Sequence, residues 1–339
     1  MGLKLTVLGA GSWGTALAAL LARKGYHVVL WARRSEVAHA IREKKENTNY
    51  LPGVILPDSL VVETDLARAL HEAGVVVFSV PSQAVRETAR LVKPYLQPET
   101  VVVNTAKGLE LDSGLRLSQV LKEEGLHTLA VLSGPSHAEE VGRGLPATVV
   151  VASERRKIAE YVQNIFMGPS FRVYTNPDLV GVELGGALKN IIALATGMSD
   201  GLGLGDNARA ALMTRGLAEI ARLGVAMGAS PLTFAGLAGV GDLIVTCSSM
   251  YSRNRQAGIG LGRGLPLDEV LAQVGMVVEG VRTTAAARRL ARQLGVPMPV
   301  TEEVYQVLYH RKPARECVGA LMERKPTMET NFLGAGWSD

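Results

Sequence analysis

The sequence is poor in cysteine, in clustered charge and in long apolar runs, and each shortage removes a class of function. Two cysteines, Cys247 and Cys317, can form at most one bridge, and neither stands in a metal-ligand spacing. No metal is therefore expected, and the usage fits a reducing cytoplasm. The net charge of +4 over 339 residues never gathers into a long basic run, which argues against a nucleic-acid surface. A modest positive balance does suit anionic ligands. No run of about 18 uninterrupted apolar residues occurs, so no membrane insertion is expected. Lys4 and the apolar stretch after it resemble a secretion signal, but Gly9, Gly11 and Gly14 interrupt the stretch at a functional spacing. Met1-Gly2 with Thr6 matches a myristoylation pattern, yet a side chain inside a buried first strand is the simpler reading of Thr6. Neither an internal repeat nor a disordered tract is visible. A chain of 339 residues that is 47% hydrophobic and 20% charged can build two domains, each with its own core.

What is present begins with an apolar strand from Leu3 to Leu8, the turn Gly9-Ala10-Gly11-Ser12-Trp13-Gly14, a helix to about Lys24 and a second strand from His27 to Trp31. This order is the dinucleotide-binding fingerprint. Gly9 permits the tight turn, Gly11 lets the backbone approach a pyrophosphate, and Gly14 lets the helix pack on the sheet. The phosphates are expected on the helix N-terminus, where free N–H groups and the helix dipole favour negative charge. Enzymes that read the ribose hydroxyl of NAD usually place an acid at the end of the second strand, but Val28 to Ser35 contains none. Arg33 and Arg34 stand there instead. Guanidinium forks suit a phosphate, so NADP(H) is the preferred cofactor, with NAD(H) possible. The alternative is two solvated arginines at a strand end.

Ser35 starts a short helix, and a proline-punctuated loop from Asn47 to Ser59 follows. Strands near Leu60–Val62, Val75–Val80, Val101–Asn104 and Leu129–Leu132 then alternate with helices, the first of these capped by Asp65. Two more strands, Ala147–Ala152 and Phe171–Tyr174, finish the sheet. From Asn176 onward the period changes from 2 to 3.6, with Asn176 as cap, Pro177 in the first helical position and Asp178 complementing the dipole. The helices expected beyond it run roughly Pro177–Met198, Asn207–Met227, Leu267–Gln273, Thr283–Gln293, Thr301–Tyr309 and Pro313–Met322, and no strand is expected there. The expected fold class is α/β, an N-terminal Rossmann domain with a doubly wound, mostly parallel sheet over residues 1–176, followed by an all-α substrate and catalytic domain over 177–339.

Ligands of an open parallel sheet bind beyond the carboxyl ends of its strands. Three stretches lie there: Val80-Pro81-Ser82, Asn104 to Gly108 with the cation Lys107, and Ser133 to Ala138. Lys107 is either a site cation or an ordinary loop lysine, and Ser136 either a ligand group or the cap of a helix to about Val141. In the first helix of the second domain, Gly185, Gly186, Lys189 and Asn190 share a face. Two helical glycines cost about 1 kcal/mol each relative to alanine, so a compensating reason is expected. Either a ligand or a closely packed helix uses the bare stripe. Gly239-Val240-Gly241-Asp242, Thr246 and Ser252-Arg253-Asn254-Arg255 form a third group, a receptor for a phosphate dianion or a plain polar turn. Glu279, after Val277-Val278, could orient a cofactor or cap a helix at Thr283.

The motifs GAGSWGTALA, VVLWARR, TAKGLE, SGPSHAEE, GGALKN, GVGDLIVTC, SRNR and VVEG closely resemble those of the NAD(P)-dependent sn-glycerol-3-phosphate dehydrogenases of bacteria, in order and over most of the chain. The resemblance implies interconversion of dihydroxyacetone phosphate and sn-glycerol 3-phosphate for phospholipid synthesis in the cytoplasm. It implies cofactor contacts from Ser12, Trp13, Arg33, Arg34, Lys107, Ala138, Arg253, Val277 and Glu279. It places Lys107, Gly134, Ser136, Lys189, Asp242, Ser252, Arg253 and Asn254 on the substrate, with Lys189 as general acid/base. The expected partner is a phosphorylated small molecule, with a homodimer as a possible assembly. The β-hydroxyacid dehydrogenases, which resemble GxxxKxxN, fit less well because Ile192 occupies the last position. Nucleotide-sugar dehydrogenases need a nucleophilic cysteine, and Cys247 and Cys317 lack its surroundings. A non-catalytic NADPH sensor would not need Lys107, Lys189 and Arg253 together.

Overall fold

The computed structural model describes residues 2–326 and Glu329. The first half runs β1 (Lys4–Leu8), α1 (Ser12–Arg23), β2 (His27–Trp31), α2 (Ser35–Lys44), β3 (Glu46–Asn47), β4 (Leu51–Ile55), β5 (Val61–Glu63), α3 (Leu66–Leu70), β6 (Val75–Phe78), α4 (Val85–Val92) and β7 (Val101–Asn104). It continues through α5 (Leu117–Glu123), β8 (Leu129–Ser133), α6 (Ala138–Gly142), β9 (Ala147–Ala152), α7 (Arg156–Phe166) and β10 (Phe171–Asn176). Among the described residues only helices follow: α8 (Leu179–Gly201), α9 (Gly205–Ala226), α10 (Pro231–Phe234), a π-helical turn (Leu237–Gly241), α11 (Asp242–Ser248), α12 (Arg253–Gly262), α13 (Leu267–Val274), α14 (Glu279–Gln293), α15 (Pro299–His310) and α16 (Ala314–Met322).

The continuous apolar runs of β6 and β7 are buried along their whole length, because helices cover both faces of a parallel sheet. Eight strands line up in the order β10-β9-β8-β7-β6-β1-β2-β5. Every neighbouring pair is parallel except β8 and β9, where Val131 faces Ala152 in an antiparallel register. The expected α/β fold with a doubly wound, mostly parallel sheet and an all-helical second half is the fold observed. The chain order reverses between β1 and β6, which opens a ligand crevice beyond their carboxyl ends. Thr6 lies inside β1, fully buried, and donates to the Ala69 carbonyl.

Several local expectations need correction. The loop from Asn47 to Ser59 contains strand β4, which pairs with β3 as a small antiparallel hairpin. Asn176 does not cap the next helix. Asp178 does, accepting from the Gly181 N–H at 2.8 Å, because its other oxygen is tied to Ser230 N and Thr233 Oγ1 beside α10. Residues 231–262, read largely as non-helical, form α10, the π-helical turn, α11 and α12. Their glycines weaken intrinsic helix propensity, but packing on α8 outweighs this. A Cβ on Gly197 would lie 2.2 Å from the Arg255 carbonyl oxygen, and one on Gly258 would lie 2.2 Å from that of Leu194. Helix α8 is long and apolar enough to cross a membrane by length and composition, yet 94% of its apolar window is buried, so it is the core helix of this half.

Candidate functional site

The crevice is shaped by the first turn. Gly9 has φ of +106°, and a Cβ there would lie 2.8 Å from the Ser79 carbonyl oxygen, while one on Gly14 would lie 1.9 Å from that of Gly9. Gly11 differs: a Cβ would meet nothing within 4 Å, so the space above the turn is open. Helix α1 has no side-chain cap and no acid in its first turn, which leaves its N–H groups and dipole available to an anion. The hairpin supports the turn from behind, with Asn47 Nδ2 donating to the Ala10 carbonyl at 3.0 Å and to Thr15 Oγ1 at 2.8 Å. Ser12 Oγ donates to the Tyr50 carbonyl, and the buried Trp13 Nε1 has no hydrogen-bond partner among the described residues. Arg33 and Arg34 are exposed just past β2, and Arg34 donates to the Tyr50 hydroxyl and lies 3.8 Å from Glu36. Glu63, at the end of neighbouring β5, spends its carboxylate on the Thr64 and Asp65 N–H groups. Open space over Gly11, a bare helix N-terminus and two strand-end arginines fit a phosphorylated dinucleotide.

Across the crevice two lysines share one carboxylate. Lys107, in the loop after β7, donates to Asp242 Oδ2 at 2.6 Å and to the Gly134 carbonyl at 3.1 Å. Lys189, on α8, donates to Asp242 Oδ1 and to Thr246 Oγ1, the latter at 2.6 Å. Lys189 is 6% exposed and Asp242 1%. Burial pushes the Lys189 ammonium down to about 7; Asp242 opposes this and Lys107 adds to it. Burial alone would raise the Asp242 carboxyl, but the two lysines outweigh it and hold the group below the usual carboxylate range. Asp242 therefore stays ionised while Lys189 titrates near neutrality.

The stripped face of α8 is filled by protein. A Cβ on Gly185 would lie 2.3 Å from the Ala238 carbonyl oxygen in the π-helical turn, and one on Gly186 would lie 2.6 Å from Ser133 Oγ. Close packing, the alternative reading of the two glycines, thus brings α11 and its Asp242 up to Lys189. The polar-turn reading of Gly239–Asp242 is likewise replaced, since Asp242 opens α11 and Thr246 stands one turn on.

Ser252 caps α12, its Oγ accepting from the Arg255 N–H at 3.2 Å. Arg253 donates to the Val277 carbonyl at 3.0 Å, so these two expected residues adjoin. Asn254 bridges helices, donating to Asn190 Oδ1 at 3.0 Å and accepting from Gly280 N at 2.8 Å. Glu279 is the first residue of α14 and accepts from the Ser82 N–H at 2.9 Å and from Ser82 Oγ, which ties α14 to the loop after β6. It does not cap a helix starting at Thr283. Gly134, with φ of +137°, packs on Val149, and its carbonyl accepts from both Lys107 and Ser136. Ser136 is therefore not a helix cap; His137 holds that position, and Ala138 begins α6 against α1. Burial, and then Lys189, lower the His137 imidazole, whose Nε2 lies 3.5 Å from the Val245 carbonyl. Thr246 and Ser82 stand out in the sequence, but not as the partners of Lys189 and Glu279. Thr246 was within reach, four residues after Asp242, had that stretch been read as helix.

Two family models, described as the N-terminus and the C-terminus of NAD-dependent glycerol-3-phosphate dehydrogenase, match residues 4–159 and 178–319. This chain belongs to that family. A glycerol-3-phosphate dehydrogenase [NAD(P)+] of Moorella thermoacetica is 71% identical over 325 residues, 96% of this chain and 97% of the relative. One from Pelotomaculum thermopropionicum is 61% identical, covering 96% and 95%. The crystal structure of a glycerol-3-phosphate dehydrogenase from Coxiella burnetii superposes with a TM-score of 0.92 at 40% identity, covering 95% of this chain and 99% of that one. A ketopantoate reductase of Ralstonia eutropha, at 17% identity and a TM-score of 0.61, shares the fold alone.

Proposed function

We propose that the chain is an oxidoreductase that interconverts dihydroxyacetone phosphate and sn-glycerol 3-phosphate with NADP(H), and less readily with NAD(H). The observation that carries the chemistry is the Lys107–Asp242–Lys189 cluster at the crevice, in a family named for this reaction. Residues 1–176 would hold the dinucleotide and 177–339 supply most of the substrate site, a division supported by the end of β10 at Asn176 and by the two family models. Residues 327, 328 and 330–339 of that second domain lie outside the described residues.

When bound, NAD(P)H supplies the hydride. Gly9, Gly11 and Gly14 shape the turn that receives its pyrophosphate, and Arg33 and Arg34 favour a ribose phosphate. Ser12, Trp13, Ala138, Val277 and Glu279 are the further cofactor contacts that the family resemblance implies. Arg253, Ser252 and the first N–H groups of α12 hold the substrate phosphate, with Asn254 steadying that turn. Lys107 polarises the ketone oxygen beside Gly134 and Ser136. Lys189 delivers its proton to the oxygen as negative charge develops and recovers one from the alcohol in reverse. An ammonium that titrates near 7 suits both directions. Asp242, which the resemblance puts among the substrate contacts, is better placed as the group that aims both lysines. In the cytoplasm the product would feed phospholipid synthesis, the role the family resemblance implies.

The test is the absorbance change of NADPH and of NADH with dihydroxyacetone phosphate. We expect substrate-dependent oxidation, stronger with NADPH. Absence of turnover, or equal turnover with unphosphorylated dihydroxyacetone, refutes the substrate.

A further inference from the structure

Arg255 belongs to the Ser252–Arg255 motif, yet its guanidinium faces protein on all sides. It is 8% exposed. Nε and Nη2 reach Asp200 Oδ2 at 2.9 and 2.7 Å, and Nη1 lies 2.7 Å from Met250 Sδ. Asp200 lies in the last turn of α8, the helix that carries Lys189, and its other oxygen accepts from Arg209 of α9 at 3.4 Å. The Arg255 backbone N–H meanwhile closes the capping bond to Ser252 Oγ. One residue therefore both completes the first turn of α12 and fastens it to α8.

We propose that Arg255, acting through Asp200, is a positioning residue that holds the phosphate-binding turn of α12 at a set distance from Lys189. This rests on the reading of that turn as the phosphate clamp. A buried ion pair adds little net stability relative to well-packed apolar groups, so its use here is better explained by geometry. The surrounding contacts agree. The Gly197–Gly258 approach and the Asn254–Asn190 bond hold α12 against α8, and the Arg255–Asp200 pair adds a charged tie between its first turn and the end of α8. Since the phosphate and the reacting carbonyl belong to one short substrate with only a CH2–O link between them, a displacement of about 1 Å between the two sites is costly, up to about 10²-fold.

The experiment compares Arg255→Lys, Asp200→Asn, the double variant and Arg253→Lys. The readouts are kcat and KM for dihydroxyacetone phosphate, NADPH affinity by fluorescence, and melting temperature. We expect KM to rise about tenfold in each strut variant and no further in the double, with NADPH affinity changed less than about twofold. A purely structural role would lower the melting temperature and leave KM within about twofold, which overturns the proposal. So does a double variant equal to the product of the singles, because Arg255 would then act other than through Asp200. Arg255→Lys keeps the charge and the aliphatic stem, so it gives a reading by itself. If Arg253→Lys raises KM and the strut variants do not, the strut fails and the clamp stands. If none of them raises KM, the clamp reading itself falls.

Discussion

Asp242→Asn is the sharpest test of the shared carboxylate. The substitution keeps the shape and removes the charge that faces Lys189 and Lys107 with one oxygen each. In the intact protein the Lys189 ammonium titrates at about 7, with burial pulling it down and Asp242 holding it up. A unit charge at about 4 Å contributes about 4 kcal/mol in a protein-like dielectric, which is about a factor of a thousand in the protonation equilibrium. At pH 7 the protonated fraction of Lys189 should therefore fall from about half to about one in a thousand. In the proposed role of Lys189, reduction of the ketone uses the protonated amine and oxidation of the alcohol the neutral one. The sign follows: reduction should fall about 500-fold at pH 7 and recover about tenfold per unit as the pH is lowered to about 5.5. Oxidation should suffer less. In the intact enzyme, reduction should fall as pH rises through about 7 and oxidation should fall as pH drops through it. The assay is kcat against pH in both directions at saturating substrate and cofactor. A variant whose reduction profile keeps the midpoint of the intact enzyme would refute the argument.

Lys189→Met removes the titrating group while keeping its length, and should lower kcat by about 10² to 10⁴ with NADPH affinity retained; His137→Asn, by comparison, should be mild, and the reverse pattern would move the acid/base role to His137. Arg33→Asp combined with Arg34→Ala should weaken NADPH binding by about 1.5 to 3 kcal/mol and NADH binding far less; titration showing equal losses would count against phosphate recognition at the end of β2. Gly185→Ala places a Cβ 2.3 Å from the Ala238 carbonyl oxygen and should cost about 1 to 3 kcal/mol. Calorimetry should show the lower melting temperature and kinetics a lower kcat, because the contact that fails also seats Asp242; an unchanged melting temperature would mean the close approach is not there.

Much of the fold could be read locally. The turn from Gly9 to Gly14 stands between an apolar strand and an apolar helix, and each glycine proved to be required or exposed in the way its position suggested. The runs in β6 and β7 have no polar alternation, which marks strands covered on both faces. The hairpin of β3 and β4 left no such trace, since its strands are short and Pro52 and Gly53 look like loop. Helices α11 and α12 were obscured for another reason. The glycines of α12 argue against a helix in isolation, and contact of Gly258 and Gly262 with α8 makes the same residues favourable, while α11, which has no glycine, follows the glycine-rich turn 236–241.

Lys189 and Lys107 stood out in the sequence as cations in unusual settings, one among helical glycines and one just past a buried strand. By themselves, spacing and residue type determined a dinucleotide turn, a helical second half, a polar, arginine-bearing stretch around Arg253 and two amines worth testing. They did not determine what those amines face. Asp242 is 53 residues from Lys189 and 135 from Lys107 in the chain, so no local pattern joins them. Only the tertiary structure decided that both meet one carboxylate, because a charge can be buried only where an opposite charge arrives to meet it, and here that charge arrives from another helix.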